Sequence, residues 1–230
     1  MMLMRPPGVY RPQTDTSLLV EVLRQSLPPR ARVLELGTGT GAVALAAARA
    51  GAAEVTAVDI SGRAVLTARL NALVRRLPVR VRRGDLFGPV AGELFDVIVT
   101  NPPYVIGCDP AAVQGGARAW EAGPDGRVLL DRICAEAPAH LAPGGTLLIV
   151  QSALCGVSAT LDALNGAGLR AAVVANRREP FGPVMRERVA ELEALGVVRP
   201  GQRHEELVVV RADRAAERGS RADAAQQRAA

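Results

Sequence analysis

Asn101-Pro102-Pro103-Tyr104 directly follows the apolar run Phe95-Asp96-Val97-Ile98-Val99-Thr100. It sets an amide side chain, a carbonyl between two prolines and an aromatic ring at the end of a predicted strand. Proline lacks an N–H and fixes its own φ, so the carbonyls here are held in place and not used up by a helix. Asn101 Oδ1 and the Pro102 carbonyl together suit both protons of one planar NH2 group, and the Tyr104 ring suits the plane that carries it. Such a lip orients an amide or exocyclic amine nitrogen for attack on an electrophile. A strand running into a Pro-rich turn explains the tetrapeptide taken alone, but three further motifs accompany it.

The first is Leu34-Glu35-Leu36-Gly37-Thr38-Gly39-Thr40-Gly41, between a predicted strand and a predicted helix. Glycines allow a sharp turn and close approach of a ligand to the backbone. The second is Asp59, at the end of the next strand and about 20 residues on, the spacing at which a carboxylate meets ribose hydroxyls. The loop reads Gly-x-Gly-x-Gly and not Gly-x-Gly-x-x-Gly, which weakens a pyrophosphate reading. Glu35 would put a carboxylate beside the loop, unfavourable near phosphate and useful near a cation. S-adenosylmethionine carries a sulfonium and an ammonium and no phosphate, so it suits the pattern better than NAD. The third motif is Gly84-Asp85-Leu86-Phe87, where Asp85 is placed to accept the adenine amine with Leu86 or Phe87 against the ring. Asp85 by itself would read as a turn residue; the order of the motifs favours a ligand role.

Alternating elements must position these groups, and they predict an α/β fold with a mainly parallel sheet. Strands are expected over 32–36, 55–59, 79–83, 95–100, 146–151, 169–176 and 207–211. Helices are expected over 18–25, 42–50, 63–76 and 184–195. Pro143-Gly144-Gly145 is expected to start the fifth strand, and 105–123 reads as a long binding loop or lid. The predicted domain covers 1–212. Residues 213–230, rich in Ala, Arg and Gln, read as a disordered tail.

The chain has 230 residues, a net charge of +5 and 49 % apolar residues, the profile of one globular domain with a sizeable core. Its basic residues are all arginine, which reads as coding bias. The clusters Arg75-Arg76 and Arg80-Val81-Arg82-Arg83 permit contact with phosphate, but a solvated helix end and strand edge is the favoured reading. No apolar run approaches the roughly 18–20 residues of a membrane span, and no signal peptide is evident. Cys108, Cys134 and Cys155 have no metal-type spacing and read as free thiols of a cytoplasmic protein; no metal site is expected.

With these motifs in this order, the chain resembles class I S-adenosylmethionine-dependent methyltransferases, and within them the HemK/PrmC type that methylates a glutamine amide in translation release factors. The resemblance covers about residues 9–211. Gly8-Val9-Tyr10-Arg11-Pro12-Gln13-Thr14-Asp15-Thr16 resembles the leading segment that closes over the methionine end of the cofactor in short, single-domain members. Ala119-Trp120-Glu121-Ala122-Gly123-Pro124-Asp125-Gly126 resembles the stretch before their fourth helix. The resemblance implies a Rossmann-like seven-stranded sheet, mostly parallel with an antiparallel last strand, and helices on both faces. Residues and resemblance together set the expected cofactor contacts at Thr16, Glu35, Gly37, Thr38, Gly39, Gly41, Asp59, Ile60, Asp85, Leu86 and Asn101. The expected catalytic groups are Asn101, Pro102 and Tyr104. Implied partners are a protein substrate such as a release factor and a small activating subunit. A nucleobase amino group in RNA or DNA is the second acceptor reading and a small-molecule amine the third; a dehydrogenase or a non-catalytic nucleotide-binding module fits the motifs less well. The sequence departs from the family in three ways: it has no helical N-terminal docking domain, it carries Arg11 and Thr14 where short relatives often carry acids, and it has an unplaced segment around Glu179-Pro180-Phe181-Gly182-Pro183. His140 and His204 are expected to be outside the chemistry, Trp120 to be a roof or a loop anchor, and Cys108 to be incidental.

Overall fold

The computed structural model describes residues 3–104, 106, 123 and 125–216. Seven strands form one sheet in the order β3-β2-β1-β4-β5-β7-β6. They are β1 (Arg32–Leu36), β2 (Glu54–Asp59), β3 (Val79–Arg83), β4 (Phe95–Thr100), β5 (Leu141–Ser152), β6 (Arg170–Pro180) and β7 (His204–Asp213). Strands β1 to β5 are parallel, and β7 runs antiparallel to both neighbours. The fold is the expected one, a mostly parallel sheet with an antiparallel last strand.

The central strands are apolar throughout because both of their faces are covered. Val33, Val97 and Val99 point into one core with α1 (Thr14–Ser26), α2 (Ala42–Arg49) and α3 (Gly62–Val74). Leu34, Leu36 and Ile98 point into the other with α4 (Val128–His140) and α5 (Val157–Gly166). This is the period-two alternation of a strand. In α1, Leu18, Leu19, Val22 and Leu23 are buried, one stripe at helical spacing.

Two expectations are corrected. Pro143-Gly144-Gly145 does not start β5 but lies within it, where the pairing with β4 jumps from Phe95↔Leu141 to Val97↔Thr146. A side chain at Gly145 would meet the Ala142 and Phe95 carbonyls at 2.8 and 3.0 Å, so the bulge depends on glycine there. The helix expected over 184–195 is two short ones, α6 (Pro183–Glu187) and α7 (Val189–Ala194). They carry Met185 and Leu192, and with Phe181 and Val198 these extend the second core. The unplaced segment is therefore the end of β6 and the packed connection that follows it toward β7. Trp120, Cys108, most of the 105–123 loop and the tail from 217 lie outside the described residues. No described helix is long and apolar enough to cross a membrane, and no described group of His, Cys, Asp and Glu could hold a metal ion.

Candidate active site

A cavity of about 920 Å³ opens where β1, β2, β3 and β4 end, within the range of small-molecule sites. Chain order reverses between β1 and β4, and ligands bind at such a switch point in open α/β sheets. Gly37, Gly39, Asp59, Ile60, Asp85 and Leu86 line the side below β1, β2 and β3. Ser152, Glu179, Met185 and Glu205 line the side below β5, β6 and β7. Asn101, Pro102 and Tyr104 line it as well, and β4 stands between the two groups of strands.

The glycine loop is a left-handed coil, with φ of 68°, 54° and 83° at Gly37, Gly39 and Gly41. At Gly41 a Cβ would also lie 3.2 Å from that of Ala68, so only glycine lets α2 start so close to α3. Asp59 staples the loop: its Oδ2 accepts from Gly39 N at 2.8 Å and its Oδ1 from Ser61 N at 2.9 Å. Each oxygen keeps a lone pair for another donor. Burial raises its pKa, against the pull of those two bonds. Ile60, the next residue, is 64 % exposed although large and apolar.

Four expected cofactor contacts are not on the cavity wall. Thr16, Glu35 and Thr38 are buried, and Gly41 sits beneath the loop as the N-cap of α2. Glu35 points inward, where its Oε2 accepts from Thr38 Oγ1 at 2.5 Å and Ala44 N at 2.9 Å. It fastens the loop to the start of α2 and does not face a ligand. Burial pushes its carboxyl up to about 8, opposed by the bonds from Thr38 and Ala44. A raised pKa means that the folded protein keeps a proton the unfolded chain has lost, so folding stability is greatest below about 4.5 and falls as pH rises through about 8. The melting temperature of the wild type should therefore drop between pH 5 and 9. Glu35→Gln mimics the protonated acid and should flatten much of that slope, leaving only what Asp59 and Glu205, raised in the same direction, contribute. A wild-type slope that Glu35→Gln leaves unchanged would refute this.

Asp85 lines the cavity but is not unengaged: Arg132 on α4 grips both of its oxygens, at 3.3 and 2.8 Å. An exposed pair of this kind contributes at most about 1 kcal/mol; its effect is to orient the carboxylate. Leu86 beside it has a φ of 40°, unusual for a side-chain-bearing residue.

The leading segment closes the cavity from the other side. Asn71, fully buried, accepts from Met4 N and donates to the Met4 and Thr40 carbonyls, and Arg63 holds the Pro7 carbonyl at 2.9 Å. Tyr10 and Tyr104 both donate to Asp15 Oδ2, at 2.6 and 2.9 Å. Burial first, and the Asp15 charge second, hold both phenols well above the ordinary tyrosine value. Asn101 Nδ2 donates to Thr16 Oγ1 at 3.3 Å. In the sequence Tyr10 and Asp15 stand out only as members of the leading segment, and Arg132, Glu179 and Glu205 do not stand out as site residues. The last two are cross-strand partners, and burial, then the Asp15 and Glu179 charges, raise the Glu205 carboxyl against a Ser152 bond. Cys155 Sγ reaches the Tyr104 carbonyl at 3.1 Å, its thiol pushed up to about 12 by burial. His140 stacks on Phe87 with ring centres 4.6 Å apart and does not line the cavity, nor does His204.

Residues 1–115 match the family model described as Methyltransferase small domain. A putative protein N5-glutamine methyltransferase of Methanocaldococcus jannaschii is 36 % identical over 180 residues, 78 % of this chain and 90 % of that one. The chain belongs to the methyltransferase small domain family. It is a class I methyltransferase of the HemK/PrmC type, and hence an enzyme. Release factor glutamine methyltransferases of Deinococcus radiodurans and Bordetella pertussis are 42 % and 40 % identical over 149 and 152 residues, and the chain spans about half the length of each, 52 % and 56 %. Two solved structures share the fold. The E. cuniculi Mtq2–Trm112 complex, described as methylating the eRF1 termination factor, aligns at a TM-score of 0.65 with 22 % identity, over 90 % of this chain and 99 % of that one. The T. thermophilus 16S rRNA N2 G1207 methyltransferase, solved with AdoMet and guanosine, aligns at 0.61 with 24 % identity, over 91 % and 46 %.

Proposed function

We propose that this methyltransferase transfers the methyl of S-adenosylmethionine to the side-chain amide nitrogen of a glutamine in a protein, a translation release factor being the first candidate. The observation that carries the reading is the union, in one cavity, of Asn101, Pro102 and Tyr104 with the glycine loop, Asp59 and Ile60.

The residues present fit the cofactor. Gly37 and Gly39 offer backbone to a methionine moiety, Asp59 keeps one lone pair per oxygen for two ribose hydroxyls, and Ile60 and Leu86 offer apolar faces to adenine. Asp85, oriented by Arg132, has acceptor capacity left for the adenine amine. Glu35, Thr38 and Gly41 serve by shaping the loop. When bound, S-adenosylmethionine supplies an electrophilic methyl on a sulfonium that departs as a neutral thioether.

The residues of the chain then have one main task, to aim the acceptor nitrogen. An amide lone pair is delocalised into its carbonyl, so the nitrogen is a poor nucleophile. Asn101 Oδ1 and the Pro102 carbonyl accept its two protons, hold electron density on nitrogen and point it along one line. Placement of this kind is worth up to about 7–11 kcal/mol. A general base is not needed, because the N–H turns strongly acidic as the new bond forms and its proton is lost to solvent.

A protein acceptor is favoured over a nucleic acid by charge. Asp15, Glu179 and Glu205 surround the acceptor side, and a phosphate backbone there would meet like charge. A small activating subunit is the proposed partner. On α3, Leu66, Leu70, Leu73 and Val74 are exposed, an apolar stripe on the face turned away from the core and a suitable seat for it. Action on a translation factor places the enzyme in the cytoplasm.

The test is transfer of labelled methyl from S-adenosylmethionine into a cell lysate, with and without candidate small partners, followed by protease or nuclease digestion. Label lost to protease and traced to a glutamine of a release factor is expected. Label lost to nuclease would overturn the acceptor assignment.

A further inference from the structure

We infer that Asp15 is a positioning residue which, through Thr16, fixes which end of the Asn101 amide faces the acceptor. This deepens the proposed amide chemistry and rests on that reading for its consequence, though not for its geometry.

Four donors converge on the Asp15 side chain. The Tyr10 and Tyr104 hydroxyls reach Oδ2 at 2.6 and 2.9 Å. The Thr16 backbone N–H and hydroxyl reach Oδ1 at 2.5 and 3.1 Å. With four donors on two oxygens, the carboxylate is purely an acceptor. The Thr16 hydroxyl has one proton, and that proton goes to Asp15. Toward anything else, Thr16 Oγ1 offers only lone pairs. Its neighbours besides Asp15 are the Tyr10 hydroxyl, whose own proton is committed to Asp15, and the Asn101 side-chain amide at 3.3 Å, which must therefore present its NH2 group and not its oxygen.

The consequence falls on Oδ1. With Nδ2 committed to Thr16, Asn101 Oδ1 occupies the opposite branch of a planar group whose residue lines the cavity. An acceptor NH2 needs an oxygen there; a reversed amide would present a second NH2 and repel it. Asp15 and Thr16 are both buried, so water does not compete for the relay. The same Asp15 oxygen that holds Tyr10 also holds Tyr104, so a single carboxylate ties the leading segment to both polar side chains of the Asn-Pro-Pro-Tyr lip. The contacts run between α1 and the end of β4, 85 and 89 positions apart in sequence.

The experiment uses the full chain and three variants: Asp15→Ala, Thr16→Val and Thr16→Ser. Asp15→Ala removes the acceptor, so the Thr16 hydroxyl is released to donate to a reversed Asn101. Thr16→Val keeps the shape and removes the lone pairs; Thr16→Ser keeps the hydroxyl. The first readout is the Asn101 side-chain NH2 signal pair in a 15N-correlated NMR spectrum, identified by its loss in Asn101→Asp. It should shift clearly in Asp15→Ala and Thr16→Val and stay close to its wild-type position in Thr16→Ser. The second is steady-state methyl transfer to a glutamine-bearing release factor peptide. There kcat should fall at least ~10-fold in Asp15→Ala and Thr16→Val, with peptide KM and cofactor Kd within a few-fold, and Thr16→Ser should keep most of the wild-type rate. NMR signals unmoved in both Asp15→Ala and Thr16→Val would overturn the inference whatever the acceptor is. A wild type that shows the NMR pattern but methylates no glutamine peptide would overturn the glutamine reading and leave the relay standing.

Discussion

Asn101→Ala should lower methyl transfer by two or more orders of magnitude while leaving the affinity for S-adenosylmethionine within a few-fold. The asymmetry follows from what the side chain does. Asn101 lines the cavity just past the end of β4, between the strands beside the cofactor contacts and the strands that carry Glu179 and Glu205. Its Nδ2 is spent on Thr16, which leaves Oδ1 for the acceptor. Removing a preorganised hydrogen-bonding group of this kind costs about 10²–10³ in turnover in comparable sites, and here the same bond also aims the lone pair. The fold has little to lose: one bond of 3.3 Å contributes on the order of 1 kcal/mol or less. Calorimetry with S-adenosylmethionine and a single-turnover transfer assay on the same preparation separate the two effects. Full turnover in Asn101→Ala would remove the amide-orienting mechanism altogether.

How much of this was legible in the sequence depends on the range of the interactions. The segments β1, β3 and β4 were bounded residue for residue, because each is a short apolar or alternating run between unmistakable breaks. The far ends of β6 and β7 were not. Arg170–Pro180 is an exposed edge strand, and the first residues of His204–Asp213 are charged, so no apolar run marks where these two strands extend. Helices α4 and α5 received no ranges for a similar reason: their cores rest on alanine, cysteine and a few leucines. At the site, the glycine loop and Asp59 were readable because their spacing is local. Glu35 reads as a ligand contact because it sits at a strand end beside the glycine loop; only the fold shows it turned inward to Thr38 and Ala44. The Arg132 grip on Asp85 joins residues 47 apart, and the Tyr104 bond to Asp15 joins residues 89 apart. Nothing in local pattern or propensity encodes such pairs; the crossing of β4 beside β1 creates them.

Asp59→Ala should weaken S-adenosylmethionine binding at least ~10-fold and up to ~100-fold, with a much smaller effect on thermal stability. Hydrogen bonds to a charged group contribute about 1.5–3 kcal/mol, which corresponds to about that range of Kd. Two effects act together. The carboxylate loses its lone pairs toward the ribose, and Gly39 N and Ser61 N lose the oxygens that hold them at 2.8 and 2.9 Å, so the loop relaxes before any ligand arrives. Stability is buffered because burial already disfavours the Asp59 charge, and because the site is open enough for water to take the two N–H groups. Asp59→Asn sharpens the test. An amide keeps one oxygen, but its NH2 must then face either Gly39 N–H or Ser61 N–H, a donor against a donor. Asn should therefore bind the cofactor no better than Ala, despite its nearly identical shape. An asparagine variant with wild-type Kd by calorimetry would show that the loop does not depend on two accepting oxygens, and would take Asp59 out of the cofactor site.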